Sequence, residues 1–213
     1  MGCTLYFIRH GQSLGNRSQT FLGHTDLDLS DLGYRQAECT AKYLNNIDID
    51  AVFSSDLSRA YNTCNEYLKL SGKTAIKDKN LREVFAGDWE GLTFDNLQVK
   101  FKDSYSVWLT DIGNSCPDGG ESVEKLTDRV VSFITEIAKA NDGKTVAIFT
   151  HATVIRSFFN LAYGKSLSEM KNLPWSTNAS VSVAKYDNGK FEVLDYSTDS
   201  HLTELKSGFP ANV

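Results

Sequence analysis

Apolar and polar positions along this chain fall into blocks that predict strands and helices taking turns. Residues 4–8 are a short apolar, β-branched and aromatic run that ends abruptly in the polar triplet Arg9-His10-Gly11, which predicts a buried strand delivering a loop. Residues 27–44 carry helical spacing at Leu32, Ala37, Ala41 and Leu44, with Ser30 placed to cap the helix just before Asp31. The pattern then repeats: 51–54 reads as a strand, 55–58 as its exit, and 59–70 as a helix stopped by Gly72.

A third short strand is predicted near 74–77. Residues 93–112 are weakly periodic helix, broken by Pro117-Asp118-Gly119-Gly120 before a long helix over about 121–140, whose favourable dipole end would hold Glu121. Residues 145–149 are the most continuously apolar run, read as a buried strand ending in Thr150-His151, with a helix over 153–163 behind it. Residues 180–186 and 191–196, joined by Asp187-Asn188-Gly189, carry a hairpin signal. Strands alternating with helices predict an α/β fold: a three-layer sandwich whose mostly parallel central sheet is covered by helices on both faces.

Composition narrows the picture without changing it. A chain of 213 residues with 41% hydrophobic positions is expected to form one domain over 1–213, with about 84–120 as a cap-like insertion over the site. No run approaches the roughly 20 apolar residues of a membrane span, so a cytoplasmic protein without membrane contact is expected. A formal charge of −5 argues against a nucleic-acid partner. Cys3, Cys39, Cys64 and Cys116 show neither zinc-site nor redox spacing, so reduced thiols, and no metal or cofactor, are expected.

In open α/β sheets ligands bind beyond the carboxyl ends of the strands. Here those ends carry Arg9 and His10, then Arg59, then Arg82 and Glu83, and finally His151. One such histidine would ordinarily be structural, but several cations converging with a carboxylate point to an anion, and arginine forks match phosphate oxygens. A small phosphorylated metabolite is therefore the expected partner, bound by a monomer or homodimer.

The run Phe7-Ile8-Arg9-His10-Gly11-Gln12-Ser13 through Asn16 resembles the phosphoglycerate mutase-like branch of the histidine phosphatase superfamily. So do Phe21-Leu22-Gly23, Leu29-Ser30-Asp31-Leu32-Gly33, the segment from Ser54 to Ala60, Leu81-Arg82-Glu83 with Gly87-Asp88-Trp89-Glu90-Gly91, and the late His151. The resemblance implies His10 as phosphorylated nucleophile, Glu83 as proton donor, and Arg9, Arg59 and His151 as phosphate clamp. Asn16 would assist the clamp, Gly23 would lie along the entrance, and Ala152 stands where many relatives have glycine beside the phosphate.

Between 84 and 121 the only cations are Lys100 and Lys102, whereas the mutases of the family carry an Arg-Arg pair there. The expected activity is thus a metal-independent phosphatase of the compact type, acting on α-ribazole phosphate or with broad specificity. A phosphoglycerate mutase and a catalytically silent phosphoprotein-binding module are the competing readings. His24 is read as a solvated loop residue and His201 as a surface one. Arg82 and Arg156 are read as members of structural ion pairs, and Trp89, Trp108 and Trp175 as core residues with a pocket wall as the lesser reading.

Overall fold

A computed structural model describes residues 2–207. Its framework is one six-stranded sheet with strand order β3-β2-β4-β1-β5-β6. The strands are β1 (Cys3–Arg9), β2 (Ala51–Ser54), β3 (Ile76–Lys77), β4 (Thr145–Thr150), β5 (Val181–Asp187) and β6 (Lys190–Thr198). The first four are mutually parallel, and the terminal hairpin adds β5 and β6 antiparallel along the far side of β1. This is the mostly parallel α/β sandwich expected from the alternation of elements.

Among the described residues seven α-helices accompany the sheet: α1 (Leu14–Arg17), α2 (Asp31–Leu44), α3 (Ser58–Ser71), α4 (Phe94–Lys100), α5 (Lys102–Thr110), α6 (Val123–Ala140) and α7 (Ala152–Ala162). Period-two alternation along the central strands sends side chains to two cores. Ile8, Val52, Ala147 and Phe149 pack under α2 and α3 with Ala41, Leu44, Cys64 and Tyr67. Leu5, Phe7, Val146 and Ile148 face α6 and α7 with Val130, Ile134, Ile155, Phe158 and Phe159.

Helix starts follow their caps. Ser30 accepts from the Gly33 amide at 3.1 Å, so α2 begins at Asp31 as the capping position in the sequence predicts. Ser122 accepts from the Lys125 amide at 3.2 Å and delays α6 to Val123. Glu121 therefore lies outside the first turn instead of serving the helix dipole. The weakly periodic stretch over 93–112 resolves into α4 and α5, broken at Phe101. All four cysteines are free thiols, and among the described residues no helix is long and apolar enough to cross a membrane.

Candidate active site

Strand register builds the site. Arg9 at the end of β1 stands opposite Thr150 at the end of the parallel β4, so His10 and His151 leave the sheet side by side. The His10 amide donates to the Thr150 carbonyl at 3.0 Å, and the two imidazoles meet edge to face with centroids 5.2 Å apart. One strand further on, the Ser55 amide donates to the Phe149 carbonyl at 2.9 Å, and the Ser55 hydroxyl lies 2.8 Å from His151 Nε2. The Thr150 hydroxyl donates to the Leu81 carbonyl at 2.7 Å, two residues before Glu83. The carboxyl ends of β1, β2 and β4 and the turn after β3 thus converge, as open α/β sheets require of a binding site.

A cavity opens there, and Arg9, His10, Asn16, Arg59 and Glu83 line it together with Gly23 and Ala152. Seven of the eight residues singled out from the sequence therefore line one space. His151 does not; it is fully buried behind the wall against His10.

His10 Nδ1 lies 2.7 Å from the Gly11 carbonyl oxygen. A carbonyl only accepts, so Nδ1 carries the hydrogen and a neutral ring presents its lone pair at Nε2. Burial, followed by the nearby Arg59 and Arg9 charges, holds the His10 pKa well below its ordinary 6.5, which keeps that lone pair available. The loop is fixed by the Gly11 amide donating to Thr63 Oγ1 at 3.0 Å. Gly11 also packs against Gly33 so closely that a Cβ on Gly11 would stand 2.5 Å from the Gly33 carbonyl oxygen.

The two arginines are held by carbonyls, which orient a guanidinium without neutralising it. Arg9 Nη1 donates to the Ser176 carbonyl at 2.6 Å. Arg59 donates to the carbonyls of Thr25 and Gly23 at 3.0 and 2.7 Å. Burial pushes Arg9 down to about 9 and Arg59 down to about 10, the direction expected of cations removed from water. Asn16 Oδ1 accepts from the Ser13 amide at 3.1 Å and from Asn178 Nδ2 at 3.2 Å, which turns its own Nδ2 into the remaining donor.

Sequence reasoning missed the groups that brace this set. Glu90 accepts from the amides of His24, Thr25 and Ala86 at 2.6, 2.7 and 3.1 Å and from the Thr25 hydroxyl, pinning the loop whose carbonyls hold Arg59. Gly23 lies in that loop at φ +50°, and a Cβ there would stand 2.2 Å from Glu90 Oε1 and 2.6 Å from the Ala86 Cβ. Arg129 on α6 pairs with Glu121 at 2.7 and 2.9 Å while donating to the carbonyls of Asn80, Arg82 and Glu83. Nothing local to residue 129 signals this role, because the partners lie more than forty positions away.

The Glu83 carboxylate accepts from the Val84 amide at 2.8 Å and from the Thr153 amide at 3.1 Å. Thr153 and Ala152 open α7, so the carboxylate sits at the positive end of that helix beside the cavity. His151 Nδ1 is buried without a partner among the described residues. Burial, followed by the Arg59 charge, holds the His151 pKa well below its ordinary 6.5, so this ring takes up a proton only where an anion stands close enough to favour it. Among the described residues no group of three or more His, Cys, Asp or Glu side chains is placed to hold a metal ion.

Several expectations need correction. His24 is not solvated: its Nε2–H donates to the Glu83 carbonyl at 2.9 Å, and its ring packs on Phe85. His201 is not on the surface either, since it stacks on Tyr43 at 4.9 Å and its Nε2 meets Thr40 Oγ1 and the Ala179 carbonyl. Arg82 does form its ion pair, a fork on Asp56 at 2.6 Å. Arg156 forms none among the described residues and instead lies 4.2 Å over the Trp175 ring. Trp89 is core, whereas Trp108 and Trp175 line the cavity.

This arrangement has counterparts among known proteins. The profile of the histidine phosphatase superfamily, branch 1, matches residues 5–199. The chain is 33% identical over 211 residues to phosphoglycerate mutase-like protein 4 of Arabidopsis thaliana, covering 95% of this chain and 89% of that one. It is 31% identical over 211 residues to the metal-independent phosphoserine phosphatase of the same plant, covering 96% and 87%. Among solved structures, Bacillus stearothermophilus YhfR aligns with a TM-score of 0.90 at 26% identity, over 94% of this chain and 99% of that one. Matched along nearly all of its length by profile, relatives and fold, this chain belongs to branch 1 of the histidine phosphatase superfamily and is one of its phosphoester-hydrolysing enzymes.

Proposed function

We propose that this enzyme is a metal-independent phosphatase that hydrolyses small phosphate monoesters through a phosphohistidine at His10, in the cytoplasm. The observation that carries the reading is the His10–Gly11 hydrogen bond: it fixes Nδ1 as the protonated nitrogen and leaves the Nε2 lone pair beside two buried guanidiniums. The lone pair forms the N–P bond as the ester P–O bond breaks. Glu83 transfers a proton to the departing oxygen, which would otherwise leave as a poor alkoxide. The resulting Glu83 carboxylate then takes a proton from water as its oxygen attacks phosphorus, which frees phosphate and restores His10.

Charge spread over the equatorial oxygens is met by Arg9 and Arg59, with Asn16 Nδ2 and the Ala152 amide as further donors, while His151, buried behind that wall, completes the clamp through its contact with His10. Fixed cations supply here what a metal supplies elsewhere, and one relative is named for metal independence. Residues 84–120, which contribute Phe94 and Trp108 to the cavity wall, act as the cap. Broad specificity, with α-ribazole phosphate among the substrates, fits the mixed polar and aromatic lining.

The test is phosphate release by EDTA-treated protein from a panel of alkyl, sugar and aryl phosphates, with phosphoglycerate isomers followed in parallel. Release is expected without added metal, and His10→Ala should retain less than about a hundredth of the wild-type rate. Retention of more than about a tenth would exclude His10 as nucleophile. Isomer interconversion without release would make the chain a mutase.

A further inference from the structure

The cavity has two unlike halves. Its charged groups, Arg9, Arg59 and Glu83, gather around His10, while Phe21, Phe94, Trp108 and Trp175 form the rest of its larger side chains. Trp108 and Trp175 lie near parallel, with centroids 6.1 Å apart and planes 27° from one another. Arg156 stands over the Trp175 ring at 4.2 Å, a cation–π contact that restrains the indole. The two indoles thus form an aromatic wall of the cavity that His10 also lines.

Apart from Arg9 and Arg59, the lining contains no lysine or arginine among the described residues. Arg156, which stands over the Trp175 ring, is not part of the lining, and its Nη2 donates to the Lys171 carbonyl at 3.3 Å. A carboxylate on the alcohol part of a substrate would therefore find no cation beyond the two that hold the phosphate, and only neutral hydroxyl and amide side chains such as Thr20 and Asn16 beside the aromatic rings. Removing a carboxylate from water without a partner is strongly unfavourable, whereas a flat uncharged ring gains area and offset stacking against indole.

We propose that this site selects phosphate monoesters whose alcohol part is planar and uncharged, laid on the Trp108–Trp175 wall, over esters whose alcohol part bears a carboxylate. The proposal rests on the phosphatase reading above. Trp175 is its specificity residue, and Arg156 is a positioning residue acting through that ring.

Benzyl phosphate and O-phosphoserine form a suitable pair, because both carry the phosphate on a primary carbon and differ in what the wall must accept. Benzyl phosphate is expected to show a kcat/KM at least about 10-fold higher, the scale of discrimination that one pocket contact supplies. Trp175→Ala should raise the KM for benzyl phosphate by about 10-fold and bring the ratio of kcat/KM for the two esters to within about 2-fold of one. Equal or reversed preference in the wild type, or a Trp175→Ala effect alike on both esters, would overturn the proposal. So would a loss in Arg156→Met confined to phosphoserine, which would make Arg156 a carboxylate clamp.

Calorimetric affinities of the His10→Ala protein for the two esters keep the two ideas separable. The same order of affinity is expected there without turnover, and a tighter phosphoserine complex would overturn the selectivity. Turnover of both esters that survives His10→Ala would instead remove the phosphatase mechanism on which the proposal rests.

Discussion

Replacing Arg129 with methionine tests whether a residue that never reaches the cavity sets the rate of the proposed acid step. In the native arrangement the guanidinium makes five hydrogen bonds, two to Glu121 and three to the carbonyls of Asn80, Arg82 and Glu83. Methionine preserves much of the apolar stem and removes all five. The Glu121–Arg129 pair is about four-fifths shielded, so its loss together with the undonated carbonyls should lower stability by about 2 kcal/mol, within what a folded domain tolerates.

The functional effect is sharper. Glu83 keeps its bonds to the Val84 and Thr153 amides, so it should drift and not detach, and a misplacement of about 1 Å costs on the order of 100-fold in rate. Turnover of an alkyl phosphate should therefore fall by about 30- to 100-fold. An aryl phosphate, whose leaving group needs little proton donation, should lose less than about 5-fold. Arg129→Lys should recover only part of the loss, since an ammonium cannot fork between a carboxylate and several carbonyls. With Glu83→Gln already present, Arg129→Met should add little, because both changes remove one function. The assay is kcat and KM on the ester pair beside a thermal melt. A well-folded Arg129→Met protein whose alkyl rate stays within about 3-fold of wild type, or whose two rates fall together, would refute the reasoning.

Two further outcomes follow from the same geometry. His10 and His151 both titrate well below 6.5, so the acid limb of kcat/KM, corrected for substrate ionisation, should lie below pH 6.5. Because the unfolded chain takes up these protons first, stability should decline as pH falls through about 6.5; a melting temperature that rises on acidification would contradict this. Gly23→Ala places a methyl group 2.2 Å from Glu90 Oε1 at φ +50°, so it should cost about 1–3 kcal/mol and weaken phosphate binding through the displaced Arg59 carbonyl anchors. Denaturant melts and inorganic phosphate inhibition check both parts, and unchanged values would count against the Glu90 brace.

What is legible in the sequence is local or periodic. The apolar runs that end in Arg9-His10 and Thr150-His151 mark strands by composition alone, and parallel pairing then forces their ends to one edge. Ser30 marks the start of α2 because a cap needs only the next three residues. The order of elements, the sandwich and the strand-end residues Arg9, His10, Arg59 and Glu83 follow from such short-range signals, whereas Asn16, Gly23 and Ala152 come only from the family resemblance. Glu121, expected at the dipole end of α6, lies outside it because Ser122 takes the cap and the Glu121 carboxylate pairs with Arg129.

The tertiary structure decided what depends on pairs far apart in the chain. Glu90 finds the loop of His24 and Thr25 some 65 residues away, and Arg129 finds Glu83, 46 residues away. His24 and His201 read as solvated in sequence because no pattern of neighbours announces a half-buried imidazole held by a carbonyl far along the chain. His10 presents Nε2 only because the Gly11 carbonyl takes Nδ1, and His151 stays neutral only because it is enclosed. Sequence spacing specifies helices, strands and their ends through interactions a few residues long. The protonation of a buried ring and the facing of two tryptophans are set by burial and by contacts between segments, which only the folded chain brings together.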